Sequence, residues 1–307
     1  MNGLRRTTSA VATTAMFFLL SLTAAGSGNP AAPDPDLSQM SLGPKDFAAG
    51  TTYVAKPLGA SGPVTGSYIR GVAVVSLGGH KVLGVVTEVL LVTDAQLADG
   101  QLGVIRSGLN TPAGRKAFAK VFGKDFGGGP GGRIRIKSTT IGAPVSVAAG
   151  QDSFRVPVVL RTSIGRIDMP IAFVRVDRAI GLDLIVGYPR THVLASVLTQ
   201  VAQLSAGRFQ IAFTVKNTVQ PTIGGSVQQG QTLTVNPGVW SGAPSSFTYQ
   251  WNRCSASGTN CAVIPGASSA TYQIGTQDSA STLEVAVTGA NSVSSSSAPS
   301  VATAVVP

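Results

Sequence analysis

The stretch that decides the fold covers residues 153–186 and reads SFRVPVVLRTSIGRIDMPIAFVRVDRAIGLDLIV. Apolar and polar residues alternate over 154–161 and again over 167–173, which is the period of a half-buried strand. A third alternating run covers 180–186. The parity of the second run changes at Phe173-Val174. One extra residue in a strand has this effect, so we expect a β-bulge there. The three runs predict an antiparallel meander.

A helix is predicted directly after the meander, because Pro189 closes the third strand and apolar residues from Val193 to Leu204 then recur at helical spacing. Upstream, two strand patterns flank the glycines at 78–79, which predicts a hairpin. Helical patterns begin at Asp94 and at Thr111-Pro112. We therefore expect residues 45–210 to form an α+β domain, with helices packed on an antiparallel sheet.

Positive charge is concentrated in this part of the chain. Residues 29–220 carry 20 Lys and Arg against 11 Asp and Glu, whereas residues 221–307 carry one Arg against two acidic residues. A basic domain favours anionic surfaces. The alternative is that the charge serves solubility alone. Only 12% of the 307 residues are charged and 37 are glycine, a composition that favours a strand-rich, secreted protein over a cytosolic one.

The first 44 residues indicate export. Arg5-Arg6 precede an apolar run that ends in small residues at Thr23 and Ala25, the pattern of a cleaved signal peptide over residues 1–25. A retained membrane anchor is the alternative, but the run is shorter than the span of about 20 residues that a bilayer requires. Residues 26–44 are rich in proline and are expected to form a flexible leader.

A second domain is expected at the C-terminus, after a linker over 211–221. Its composition shifts to Ser, Thr, Gly, Val and Gln, and short strand patterns separated by turns predict an all-β sandwich over 222–307. The patterns lie at 231–235, 247–253, 262–264, 271–274, 282–288 and 299–306.

Several motifs of this second domain occur together in one order. They are Gly230-Gln-Thr-Leu-Thr234, Gly238-Val-Trp-Ser-Gly242, Tyr249-Gln-Trp251, Arg253-Cys254, Cys261, Ile264-Pro-Gly-Ala267 and Thr271-Tyr272. In this order the chain resembles the Ig-like repeats of secreted and surface proteins from actinobacteria. The resemblance covers about 85 residues and implies an Ig-like sandwich. The segment after Asp278 departs from it, because a glycine is expected directly after that aspartate.

A second resemblance covers residues 45–208. The order of hairpin, helices, meander and final helix, with Phe173-Val-Arg-Val-Asp-Arg-Ala-Ile-Gly181 before the last strand, is similar to exported PsbP-like domains of actinobacteria. It also resembles the extracellular sensor domain of PknH-type kinases. Both resemblances imply a non-catalytic α/β sandwich that binds partners or small molecules.

The candidate site residues are few. Cys254 and Cys261 are the only cysteines, and in an exported chain such a pair predicts a structural disulfide rather than a metal site. His80 and His192 are the only histidines, and no Gly-x-Ser-x-Gly elbow accompanies them. We therefore predict no catalytic residues, no metal and no cofactor.

A possible anion-binding site is formed by Arg133, Arg135 and Lys137, which alternate along one predicted strand and which Arg155, Arg161 and Arg166 can extend. A solvated sheet face is the alternative. These strands carry few stacking aromatics, which argues against nucleic acid. Trp251 is expected in the sandwich core, and Trp240, in a turn between glycines, is either core or a carbohydrate platform.

The sequence as a whole predicts an exported, non-catalytic binding or adhesion protein of the cell envelope. Its expected partner is an anionic envelope polymer, a lipid surface or another protein, and no nucleic acid. Two other classes stay open, a carrier that encloses a small apolar ligand between sheet and helix, and a secreted hydrolase with His80 or His192 as its base.

Overall fold

The computed structural model describes residues 34–48, 50–77, 79–127 and 135–307. Two units are present: residues 36–212 belong to the first, and residues 34–35 and 213–307 to the second. Within the described ranges, no helix is both long and apolar enough to cross a bilayer. The predicted signal peptide, residues 1–25, lies outside those ranges.

The first unit contains ten strands and four α-helices among its described residues. The strands are β1 (Thr51–Pro57), β2 (Val64–Leu77), β3 (His80–Val92), β4 (Ile136–Ile141), β5 (Val145–Ser146), β6 (Asp152–Val156), β7 (Val158–Thr162), β8 (Gly165–Asp168), β9 (Ile171–Val176) and β10 (Ala179–Val186). The helices are α1 (Leu37–Met40), α2 (Ala95–Asn110), α3 (Pro112–Gly127) and α4 (Ala195–Ala212).

Seven strands form one antiparallel sheet in the order β1-β2-β3-β10-β9-β6-β5, and three form a second sheet in the order β4-β7-β8. Helix α4 covers one face of the large sheet, where Phe209 packs against Gly181 and Ser205 bonds to Asp183. Helix α2 covers the other face, where Arg106 lies over the Phe154 ring. Helices and antiparallel sheets therefore form a mixed α+β unit, as the sequence predicts.

The meander is divided differently from the prediction. The first predicted strand breaks at Pro157 into β6 and β7, and the second breaks at Met169-Pro170 into β8 and β9, so that each predicted strand contributes to both sheets. A proline donates no backbone hydrogen bond, which interrupts a ladder. The predicted bulge at Phe173-Val174 is wrong, because both residues pair in regular register with β10. Both are buried, so the parity change reflects a strand covered on two faces.

Two connecting segments are more ordered than predicted. Within the expected leader, Asp36 caps α1 through its bond from the Ser38 backbone N–H, and Met40 and Leu42 are fully buried. Burial of these two apolar side chains fixes the segment. The expected linker over 211–221 contains the end of α4 and also β11 (Lys216–Val219), which pairs with a strand of the second unit.

The second unit is built of short antiparallel strands. They are β11, β12 (Thr222–Gly224), β13 (Thr232–Asn236), β14 (Val239–Ser241), β15 (Ser246–Cys254), β16 (Ala262–Val263), β17 (Thr271–Gln273), β18 (Thr282–Ala290) and β19 (Ser295–Pro299). The largest sheet has the order β16-β15-β18-β19, beside a β12-β13-β17 sheet and a β11-β14 pair. The strand predicted over 299–306 is wrong, because the edge strand is β19 and it ends at Pro299.

The core of the second unit is aromatic at its centre. Trp251 is fully buried and stacks on Tyr272 at 5.3 Å between ring centroids. Trp240 is only 3% exposed, and its indole N–H donates to the Pro237 carbonyl, so this residue is core and the carbohydrate-platform alternative is excluded for it.

Two further features stabilise the second unit. Cys254 and Cys261 form the predicted disulfide. Asp278, fully buried, accepts hydrogen bonds from Arg253 and Tyr272.

Candidate anion-binding surface and clefts

Two of the three residues predicted to bind anions lie at the start of β4. Arg135 and Lys137 are both exposed, and Arg133 lies outside the described residues. The Arg135 backbone N–H donates to Ser163 Oγ at 3.0 Å, and the Ser163 N–H donates to the Arg135 carbonyl at 2.8 Å. These bonds hold the start of β4 against the turn between β7 and β8. The pairing of β4 with β7 is irregular between Ile136 and Ser138, where Lys137 is the additional residue.

Further arginines collect at the same turn. Arg161 of β7 lies directly opposite Arg166 of β8. The backbone N–H of Arg190 donates to the Arg166 carbonyl at 2.7 Å, and a Cβ added at Gly165 would lie 2.8 Å from Cγ of Arg190, so the Arg190 side chain crosses the hairpin turn. We call this set the basic cluster. It consists of Arg135, Lys137, Arg161, Arg166 and Arg190.

Among the described residues, an acidic side chain pairs with only one cation of the basic cluster. Asp168 accepts from Nε of Arg166 at 2.6 Å. Other carboxylates of the unit pair with arginines outside the cluster: Asp46 with Arg208, Asp99 with Arg175, and Asp152 with Arg106. Among the described residues, none of the four remaining cluster cations has an acidic partner. Like charges opposite each other in a sheet are destabilising. Asp168 compensates Arg166, whereas Arg161 on the opposite strand has no acidic partner among the described residues, so an external anion would be favourable there.

Asp168 also organises a segment that sequence reasoning did not connect with it. Its second carboxylate oxygen lies 3.2 Å from Nδ1 of His192 and accepts from the Val193 backbone N–H at 3.3 Å. Asp168 itself is buried, whereas the His192 side chain is 66% exposed. One buried carboxylate therefore positions Arg166, the histidine ring and the backbone that leads into α4.

Two clefts adjoin this segment. The first has a volume of about 240 Å³, and its charged and polar lining is Arg155, Arg166, Asp168 and His192. The second has a volume of about 370 Å³, and its lining includes His80, Lys81 and Thr191. Residues 192–194 line both clefts, so this segment, which we call the ridge, separates them. Arg155 is half-buried and forms no ion pair with the described acidic residues.

Two buried carboxyls make the first unit more basic than its formal charge. Glu88 is fully buried, neither of its carboxyl oxygens has a hydrogen-bond partner in the described part of the chain, and burial raises its pKa to about 8. Burial also raises the pKa of Asp183 to about 7, against the hydrogen bonds from Ser205 and Thr87. At neutral pH Glu88 is mostly uncharged and Asp183 is partly protonated, so the positive excess exceeds the count made from sequence.

The two histidines do not form a hydrolase triad in the described residues. His192 has an acidic partner in Asp168, but among the described residues no serine, threonine or cysteine side chain forms a hydrogen bond with its ring, and the hydroxyl of Thr191 donates to the Tyr188 carbonyl. His80 begins β3 and lines only the second cleft. In the described ranges, the one group of side chains close enough to hold a metal is Cys254, Cys261 and Glu284, and the disulfide occupies both of its sulfurs.

No protein-family model matches this chain, and a search of curated proteins returns no match. The basic cluster and the two clefts are therefore the features from which a function can be argued. The sequence alone identifies four of these residues as candidates: Arg135, Lys137, Arg161 and Arg166. It does not identify Asp168 and Arg190, because their positions near the cluster depend on how β8 pairs and on the turn that follows β10.

Proposed function

We propose that this is an exported, non-catalytic protein of the cell envelope that binds anionic polymers through its first unit. The observation that carries the proposal is the basic cluster, in which four of the five cations have no acidic partner among the described residues. Cations held on neighbouring strands attract a polyanion without needing a deep pocket. The arrangement therefore suits a flexible chain of repeating negative charges better than a single small ligand.

The export signal and the Ig-like sandwich belong to the same proposal. The sequence of residues 1–25 favours secretion, and the second unit has the short antiparallel strands, the buried Trp251 and the disulfide that an Ig-like module would have. In this interpretation the second unit is a spacer or a contact module at the envelope. Its charge is close to neutral, so it contributes little to the binding of polyanions.

The experiment is a binding titration with long-chain polyphosphate, monitored by isothermal calorimetry at several salt concentrations. The Debye length falls from about 10 Å at 0.1 M salt to about 3 Å at 1 M, so affinity should fall steeply over this range. A variant with Arg135, Lys137 and Arg161 changed to Gln should lose at least about tenfold in affinity, because each removed contact reduces counterion release.

The matched control changes three exposed lysines elsewhere in the first unit to Gln, namely Lys45, Lys56 and Lys116. It removes the same charge but leaves the basic cluster intact. The proposal fails if the two triple variants bind equally, or if affinity does not depend on salt. Binding by the isolated second unit alone would also contradict it.

A further inference from the structure

Both clefts beside the ridge carry cationic groups. The first contains Arg155 and Arg166 with the single carboxylate of Asp168, so one positive charge is in excess. The second contains Lys81, which is exposed and has no acidic partner among the described residues. Each cleft is therefore suited to one negatively charged group.

The ridge between them is short and fixed. It consists of His192, Val193 and Leu194, and three residues span at most about 10 Å even when fully extended. The bonds from His192 and Val193 to the buried Asp168 hold it in place. The two clefts therefore share one short wall that is fixed in place.

The apolar lining limits what each cleft accepts. Val158, Val159 and Leu198 line the first cleft, and Val82 and Val197 line the second. A cleft that combines cations with apolar walls favours a narrow chain that carries charge at intervals over a uniformly charged surface. A flat surface of anionic headgroups, as in a membrane, cannot enter two separate clefts.

We propose that the two clefts are adjacent subsites for one linear, phosphate-bearing polymer that crosses the ridge, with Arg155 and Lys81 as the residues that bind its successive charges. This inference rests on the proposed function and adds the place where the polymer is held. The basic cluster then attracts the chain, through Arg166 in common with the first cleft, and the two subsites set its register.

The test uses three probes: inorganic phosphate, tripolyphosphate and long-chain polyphosphate. A chain that occupies both subsites gains from its high local concentration at the second one, so the long chain should bind about 100-fold more tightly than tripolyphosphate. Arg155→Gln and Lys81→Gln should each remove most of that advantage, and the double variant should be little weaker than either single variant. Lys56→Gln, on β1 and outside both clefts, is the charge control.

A second pair of variants probes the ridge directly. Leu194 lines both clefts and is 45% exposed, so its replacement does not disturb the core. A carboxylate just before the first turn of α4 is also favourable for the helix. Leu194→Glu should lower the affinity for the long chain about tenfold through charge repulsion, whereas the uncharged Leu194→Gln should change it little.

The two proposals fail in different ways. If the long chain binds and the basic-cluster variant weakens it, but chain length, Arg155, Lys81 and the charge at Leu194 have no effect, then the subsites are wrong and the proposed function stands. If the unmodified protein binds no polyphosphate at low salt, both are wrong.

Discussion

At the scale of single residues, Glu88 is the most unusual position in the first unit. It lies on the interior strand β3, between Ile69 of β2 and Leu182 of β10, and both of these neighbours belong to the apolar core. A charged carboxylate without partners is expensive in such surroundings, so the side chain keeps its proton instead. On α2, which covers the same face, Gln101 is also buried without a described hydrogen-bond partner.

The raised pKa of Glu88 predicts how stability depends on pH. The pKa of Glu88 is 4.5 in the unfolded chain and about 8 in the folded protein. The contribution of Glu88 to the free energy of unfolding is therefore most favourable below pH 4.5 and falls as the pH rises to about 8. The total loss is of the order of a few kcal/mol. Glu88→Gln should therefore unfold at higher denaturant than the unmodified protein at pH 8, and the difference should shrink toward pH 5.

The measurement is denaturant unfolding followed by helical circular dichroism between pH 5 and pH 8.5, because all described α-helices lie in the first unit. Asp183 also makes stability depend on pH, because folding raises its pKa from 3.8 to about 7. The variant should therefore retain part of the pH slope. Equal slopes for variant and unmodified protein would show that Glu88 is ionised in the folded state.

At the scale of elements, the contact of α4 with the large sheet depends on a glycine. A Cβ at Gly181 of β10 would lie 2.7 Å from the Phe209 ring of α4. Gly181→Ala should therefore destabilise the first unit by about 1–3 kcal/mol through overpacking. In Gly207→Ala, on α4 itself, the added methyl meets open space, so this control should stabilise the helix by about 0.5–1 kcal/mol. Thermal unfolding of the two variants gives the comparison, and shifts of the same sign would refute the close packing.

The elements were predictable from the sequence where the alternation or the helical spacing was uninterrupted. The hairpin of β2 and β3, the helices α2 and α3, and strand β10 lie where the alternation or the helical spacing places them. The first two strands of the meander were not predictable, because each is divided between two sheets. In addition, β9 is buried on both faces, and a parity change then carries no information about bulges. Pro157 and Pro170 were the available signals that the chain passes from one sheet to the other.

At the scale of the whole molecule, the two units can be observed separately. Both tryptophans, Trp240 and Trp251, lie in the second unit, and every described α-helix lies in the first. Replacing Cys254 and Cys261 by Ser should lower the stability of the second unit by about 2 kcal/mol, because the disulfide closes only a short loop. Tryptophan fluorescence should therefore report an earlier transition, while the helical signal stays unchanged. A shift in both signals would mean that the disulfide stabilises more than its own unit.

The candidate site was only partly predictable for a reason that applies to the whole chain. The sequence shows Arg135, Lys137, Arg161 and Arg166 as cations in strand patterns. Asp168 and His192, however, lie 24 positions apart, and no local pattern links them. Likewise, Arg155 reads as one more cation on the meander, although β6 and β7 belong to different sheets. Clefts form between elements, so residues become neighbours there only once the topology is known.

The buried carboxyls of the large sheet also restrict how β3 can align during folding. Thr87 pairs with Asp183 on the α4 face, and the next residue, Glu88, points to the opposite face. A slip of one residue would turn every side chain of β3 over and bring Glu88 against Asp183, leaving two carboxyls to share one dry space. The misaligned sheet is therefore destabilised more than it would be if β3 carried only apolar side chains. Groups that are costly in the native state thus discriminate against the nearest incorrect pairing.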